Sequence, residues 1–297
     1  MYTEFFEFRG RPFQLTPDTR FFFESRTHKK AISYLTYGLH QREGFVVVTG
    51  EVGAGKTILI EYLLSRLDLS GYRVAKIVTT QVEADDLLRM IASAFEISVS
   101  DKDKSSLISE LHDFFERSNA ANMRPLLIVD EVQNLSLSSL EELRMLSNFQ
   151  SGNSPLVQTF FVGQPQFRKT MATRDLEQLM QRVIATHHLE PLTEPETRAY
   201  IEHRLRCVGW SGDPAIGDEV FEMVFEVTGG VPRRINLVFD RILPSCFLEQ
   251  QHEIGPDLVD DVILELKREN LLGTRGASYV SRRKSVAGAP RSHERTI

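Results

Sequence analysis

Phe45-Val46-Val47-Val48-Thr49-Gly50-Glu51-Val52-Gly53-Ala54-Gly55-Lys56-Thr57 is the stretch on which the fold turns. Its first five residues are an apolar run rich in β-branched side chains, the pattern of a short strand buried on both faces. The last eight fit G-x-x-x-x-G-K-[ST] at every defined position, and an amphipathic helix follows to about Leu67. Strand, glycine loop and helix in direct succession are the context a phosphate-binding loop requires. Glycines let backbone N–H groups turn inward, and the helix N-terminus adds partial positive charge. Gly50, Glu51, Val52, Gly53, Ala54, Gly55, Lys56 and Thr57 are therefore expected to hold the phosphates of ATP. Lys56 would reach the β and γ phosphates and the Thr57 hydroxyl would bind Mg²⁺. A chance glycine-rich turn is the alternative, and both flanking elements weigh against it.

Further strands are expected at Arg73–Thr79, Leu126–Val129, Gln158–Gly163 and Ile184–Leu189. Helices are expected near residues 83–95, 105–117 and 138–149. Strands alternating with helices imply right-handed crossovers and a mostly parallel sheet, so the fold class is α/β. After Pro191 the pattern becomes helical throughout (194–208, 218–227, 232–249, 256–266), with no strand expected between.

Leu126-Leu127-Ile128-Val129 ends in Asp130-Glu131, two carboxylates at the carboxyl edge of a strand, where ligands bind in such sheets. Asp130 is expected in the Mg²⁺ shell, and Glu131 as the group that orients the attacking water and takes its proton. An acidic pair capping the next helix is the plainer alternative. The pair favours hydrolysis over transfer to a small acceptor. Gln164 ends the strand Phe160–Gly163 and either bonds the attacking water or γ-phosphate or simply begins a loop. Arg182 closes a helix before the last strand, as a solvated arginine or as a finger reaching a neighbouring subunit's γ-phosphate, with Arg168 and Arg174 as weaker rivals. Gly229-Gly230-Val231-Pro232-Arg233 ends one helix and starts the next, which places Arg233 at a helix start facing the sheet and able to touch nucleotide. His187 and His188 lack metal-ligand spacing and read as non-catalytic.

The chain has 297 residues, 41% hydrophobic and 26% charged, with net charge −6. That is globular composition, with no fibrous or wholly disordered character. No apolar run is long enough to span a bilayer, and no secretory leader is legible at Met1-Tyr2-Thr3-Glu4. Net acidity weighs against non-specific nucleic-acid binding. Cys207 and Cys246 are expected as two reduced structural thiols. Four segments are expected: a Phe-rich lead-in over 1–40, extended rather than helical up to His28 and packed on the core; a nucleotide-binding domain over 41–191; a helical lid over 192–270; and a disordered basic tail over 271–297, six cations against Glu294.

Together these pieces resemble the AAA+ ATPases: phosphate loop, Asp-Glu strand end, polar sensor strand, arginine finger and helical lid with Gly-x-Pro-Arg. The resemblance implies a P-loop NTPase with a three-layer αβα five-stranded sheet followed by an all-helical lid. Phe6 to Asp18, Arg20-Phe21, Tyr37-Gly38-Leu39, Asp130-Glu131-Val132-Gln133-Asn134-Leu135 and Gly163-Gln164-Pro165 are similar to the ExeA/GspA secretion-ATPase group, over about residues 1–268. Within that group the chain looks like the secretion ATPases of exosortase/PEP-CTERM and exopolysaccharide loci. ExeA continues into a transmembrane helix and a peptidoglycan-binding domain, and neither is expected here. Ala54 and Ile58 are ordinary variation, whereas Gln164 stands where many AAA+ proteins carry Asn, Thr or Ser.

The resemblance implies an oligomer joined through its nucleotide interface, driving envelope export. Its location would be cytoplasmic, peripheral at the inner membrane through an export partner. A DNA-dependent ATPase of the Mu B or TnsC kind is a second expectation, and an ATP-gated scaffold with little turnover a third.

Overall fold

A computed structural model of the chain describes residues 1–41, 43–79, 83–100, 102–152 and 154–272. The stretch read as a basic tail lies outside the described residues from 273 onward. The chain divides into two compact units. A sheet unit holds residues 15–192 together with 231–233, and a helical unit holds 1–14, 193–230 and the chain from 234.

In the sheet unit, α2 (Arg26–Gln41) precedes β1 (Phe45–Gly50), α3 (Lys56–Arg66), β2 (Tyr72–Val78), α4 (Ala84–Ala94), α5 (Lys104–Ala120) and β3 (Arg124–Asp130). Then follow α6 (Leu137–Leu146), a short hairpin β4 (Gln150–Ser151) and β5 (Ser154–Pro155), β6 (Gln158–Gly163), α7 (Gln166–Met171), α8 (Glu177–Met180) and β7 (Val183–Leu189). Among the described residues five strands pair in the order β2-β3-β6-β1-β7, all parallel. Strands β1 and β6 are buried at every residue and β3 at all but its first, which is why each carries an apolar run, Phe45–Val48, Leu126–Val129 and Phe160–Val162. Side chains of alternating parity build two cores. Phe45, Val47, Leu127, Val129 and Phe161 pack with the helices from α4 to α8. Val46, Val48, Leu126, Ile128, Phe160 and Val162 pack with α2 and α3.

The helical unit contains α1 (Tyr2–Phe5), α9 (Glu194–Cys207), β8 (Ala215–Ile216), α10 (Asp218–Thr228), α11 (Pro232–Leu248) from Arg234 on, β9 (Glu253–Ile254) and α12 (Pro256–Arg268). Thr193 and Glu196 form a capping box at the start of α9, and Gly229 ends α10 in the left-handed conformation.

Three expectations need correction. The lead-in is not extended throughout, since α1 and a 3-10 turn at Thr19–Phe21 interrupt it. Nor does all of it pack on the sheet unit. Phe13 stacks on Phe239 at 4.7 Å, Phe5 meets Phe247 and His252, and the Arg9 N–H donates to the Val208 carbonyl at 2.8 Å, all within the helical unit. Phe21 and Phe22 are buried on the sheet side of the division. Each aromatic goes where apolar surface is nearest, and composition does not say which body that is. The helical unit is also not free of strands, because β8 and β9 form a two-residue parallel ladder too short to show a period.

Of the two thiols only Cys246 is buried, and burial pushes it up to about 11; Cys207 is exposed at the end of α9.

Arg204 on α9 ties the first residues down. It is 5% exposed, its Nε donates to the Pro12 carbonyl, its Nη1 to the Tyr200 hydroxyl at 2.9 Å and its Nη2 to the Gln14 carbonyl at 3.4 Å. Replacing it with Met removes these three donated hydrogen bonds, an expected loss of about 3 kcal/mol. Trp210, the one tryptophan of the sequence, lies in this unit and reports the loss as an earlier urea midpoint in its fluorescence.

Candidate functional site

Parallel pairing brings the strand ends together. Val78 pairs with Asp130, Val129 with Phe161 and Thr49 with Gly163, so the residues after β1, β2, β3 and β6 leave the sheet along one edge. The loop 50–57 lies there and opens α3. Its glycines are structural requirements at two positions. Gly53 has φ +82° and an added Cβ would sit 2.4 Å from Cβ of Arg233; Gly55 has φ +94° and an added Cβ would sit 2.9 Å from Nε2 of His28. Any other residue would meet both a forbidden backbone region and an occupied space.

Lys56 is buried, and its Nζ donates to the carbonyls of Gly50 at 2.7 Å and Glu51 at 3.0 Å. Burial lowers its pKa against the opposing pull of Glu131, Asp130 and Glu51. The Thr57 hydroxyl donates to Asp130 Oδ2 at 3.5 Å, so these two oxygen ligands meet across 73 residues of sequence. Asp130 is 6% exposed, and burial raises its carboxyl above the usual range despite the Glu131 N–H bonded to its Oδ1 and the charges of Lys76 and Lys56.

Glu131 has φ +55° and ψ +37°, the left-handed region, which costs a non-glycine residue about 1–2 kcal/mol. Thr79 holds that turn by donating its hydroxyl to the carbonyls of Asp130 at 2.9 Å and Glu131 at 2.8 Å, while Asn134 donates to the Thr79 carbonyl at 3.0 Å. The turn aims the Glu131 carboxylate at Gln164, whose Nε2 donates to Oε2 at 3.1 Å, and at Gln133, whose Nε2 donates to the same oxygen.

Lys56, Thr57, Asp130, Glu131 and Gln164 thus form one cluster. Arg233 joins the loop through its backbone: its N–H donates to the Gly53 carbonyl at 3.2 Å, and its side chain is exposed. Arg182 stands apart. It precedes β7 at the opposite end of the sheet, its own carbonyl accepting from the Phe45 N–H and its guanidinium donating to the Ser147 carbonyl at 3.0 Å. Arg168 lies on α7, where its charge acts on His188.

His187 and His188 bond to Thr27 and Thr49, and burial lowers the pKa of both, so they are neutral polar contacts. Sequence reasoning missed Thr79, Gln133, Asn134 and His28. Gln133 and Asn134 lie two and three residues past Glu131, and that proximity was the available signal.

The donor set fits nucleotide and magnesium. A glycine loop at a helix start with a buried lysine suits phosphates, and a hydroxyl beside a buried carboxylate suits a hard cation. Thr57 and Asp130 are the residues that would hold Mg²⁺, which supplies charge neutralisation at the transferred phosphoryl oxygens.

One consequence concerns stability. A carboxyl whose folded pKa is raised opposes folding increasingly as pH rises through that value. Asp130→Asn is therefore expected to raise the melting temperature of the nucleotide-free protein by a few degrees at neutral pH and by nothing in acid. Mg²⁺ and ATP should stabilise the wild type and not the variant, as melting curves at two pH values would read out.

Comparison with known proteins agrees with this geometry. Residues 39–171 match the family model of the AAA domain. The chain is similar to general secretion pathway protein A of Aeromonas hydrophila, 35% identical over 256 residues. That match spans 86% of this chain and 46% of that protein, so the chain covers about half the relative's length. Solved structures with the same fold include Cdc6p from Pyrobaculum aerophilum (TM-score 0.66, 17% identity, 84% of this chain and 71% of that one). The Aeropyrum pernix ORC1 protein in complex with DNA matches at TM-score 0.63 and 17% identity, over 89% and 71%. The RuvB Holliday junction branch migration motor of Thermotoga maritima matches at TM-score 0.55 and 19% identity, over 82% and 70%. The architecture is that of the P-loop AAA fold, a five-stranded parallel sheet with flanking helices and a helical C-terminal part.

Proposed function

We propose that the chain is an ATP-hydrolysing AAA+ protein that works as an oligomeric switch or motor for envelope secretion. The observation that carries hydrolysis is the ring of contacts at Glu131: a carboxylate held by Gln133 and Gln164, one residue from the Asp130–Thr57 pair and near the phosphate loop. The loop amides and Lys56 bind and orient the phosphates, Gln164 orients the attacking water, and Glu131 takes the water proton as the new P–O bond forms. Arg233 senses the bound state at the loop, and Arg182 completes the site of a second copy.

The likeness to general secretion pathway protein A supports a role in export, and exosortase-linked or exopolysaccharide export is the specific form we favour. Among the described residues no helix is long and apolar enough to cross a membrane, and docking at the inner membrane through an export partner is the form we favour.

Steady-state ATP hydrolysis by the purified chain, with and without duplex DNA and with Glu131→Gln as blank, tests the reading. Turnover indifferent to DNA supports the secretion role. Strong DNA stimulation replaces it with a DNA-dependent ATPase, and no turnover above the blank leaves an ATP-gated scaffold.

A further inference from the structure

Gln133 is tied to both halves of the hydrolytic apparatus. Its Oε1 accepts the Gln164 backbone N–H at 2.9 Å, which fixes the orientation of the amide, since only the oxygen can receive that proton. Nε2 is thereby turned toward Glu131 and donates to Oε2, the oxygen that also accepts from Gln164 Nε2 at 3.1 Å. Two donors on one carboxylate oxygen prevent the group from rotating. Among the described residues, Oε1 of Glu131 accepts no hydrogen bond.

The surroundings are cut to fit this amide. An added Cβ at Gly163 would lie 2.9 Å from Gln133 Oε1 and 2.7 Å from Val132 Cγ1, so the strand end leaves room for Gln133 only as glycine. The left-handed backbone at Glu131, pinned by Thr79, completes the alignment.

We infer that Gln133 is a positioning residue: it locks the Glu131 carboxylate through Oε2 so that Oε1 is the atom that receives the proton of the attacking water. The inference rests on the hydrolytic role of Glu131 argued above. Gln133 touches no substrate atom itself. Its effect is to keep the base aligned, through the two donors that share Oε2.

The test measures kcat and KM for ATP hydrolysis by the full chain, its Gln133→Met variant and its Gln133→Glu variant, with affinity for a fluorescent ATP analogue and melting temperature read alongside. Gln133→Met is expected to lower kcat about tenfold with KM within about twofold, because the base loses its alignment while the phosphate loop is untouched. Gln133→Glu keeps the acceptor for the Gln164 N–H but cannot donate to Glu131 Oε2, so kcat should fall at least as far with KM again little changed. A kcat unchanged or raised in both variants overturns the inference. So does a loss of kcat matched by lower analogue affinity, raised KM and a lower melting temperature, the signature of a merely structural amide. If Glu131→Gln turns over like the wild type, the hydrolytic role of Glu131 fails, and the inference falls with it.

Discussion

Glu131→Gln is expected to lower turnover about 10²- to 10⁴-fold while ATP binding persists, the range a general base contributes. The substitution preserves volume and removes the one atom pair that can take a proton. Binding should survive because the residues proposed to face phosphate, Gly53 to Thr57, belong to another segment with its own supports: His28 behind Gly55 and the Arg233 backbone behind Gly53. The charge state also bears on the result. Burial pushes the Glu131 carboxyl up, but the Gln133 and Gln164 amides and the Lys56 charge outweigh it and hold it below its ordinary value. The base is thus ionised through neutral pH, and activity should fall only as pH drops below the ordinary carboxylate range. Steady-state kcat and KM together with analogue binding decide the matter. A variant with full turnover would remove Glu131 from the mechanism, and one that no longer binds would show the carboxylate shaping the loop.

The loop 50–57 was legible because every requirement it meets is local: strand, turn and helix lie in one stretch, and the glycine positions follow from backbone geometry at those residues. The five-stranded sheet was legible for a related reason, since β1, β3 and β6 are buried on both faces and carry apolar runs. What surrounds Glu131 was not. Gln133 reaches Glu131 locally, but Thr79 meets Glu131 and Gln133 meets Gln164 only through the β2-β3-β6 register, which no spacing in the sequence encodes. A threonine ending a strand looks like any other until its hydroxyl is seen bridging two carbonyls across 51 residues or more. The lead-in shows the same limit from the side of packing. Phe13 and Phe22 are equally apolar, yet one stacks on Phe239 in the helical unit and the other on Tyr62 of α3. Neither destination is written in the residues that flank them.

Arg182→Ala is expected to bind ATP normally and lose about 10³- to 10⁵-fold in turnover, the range an arginine finger supplies. The geometry allows this only between copies. Strand β7 runs parallel to β1, with Phe45 paired to Val183 at one end and Gly50 to Leu189 at the other. Arg182 therefore lies a full strand, about 20 Å, from the loop that follows Gly50. No rotamer of an arginine crosses that distance. Its guanidinium is instead held at the foot of the sheet by the Ser147 carbonyl, half-buried, so in the proposed assembly the phosphate it would meet is a second copy's. Mixing supplies the decisive measurement. Lys56→Ala lacks a working loop but keeps Arg182, whereas Arg182→Ala keeps the loop, so a mixed assembly contains interfaces with both parts intact. Activity should rise from near zero in either pure variant to a maximum near equal proportions. A residue acting within its own subunit, or one that only supports the Ser147 turn, gives no recovery at any ratio, because no interface then regains what each variant lacks.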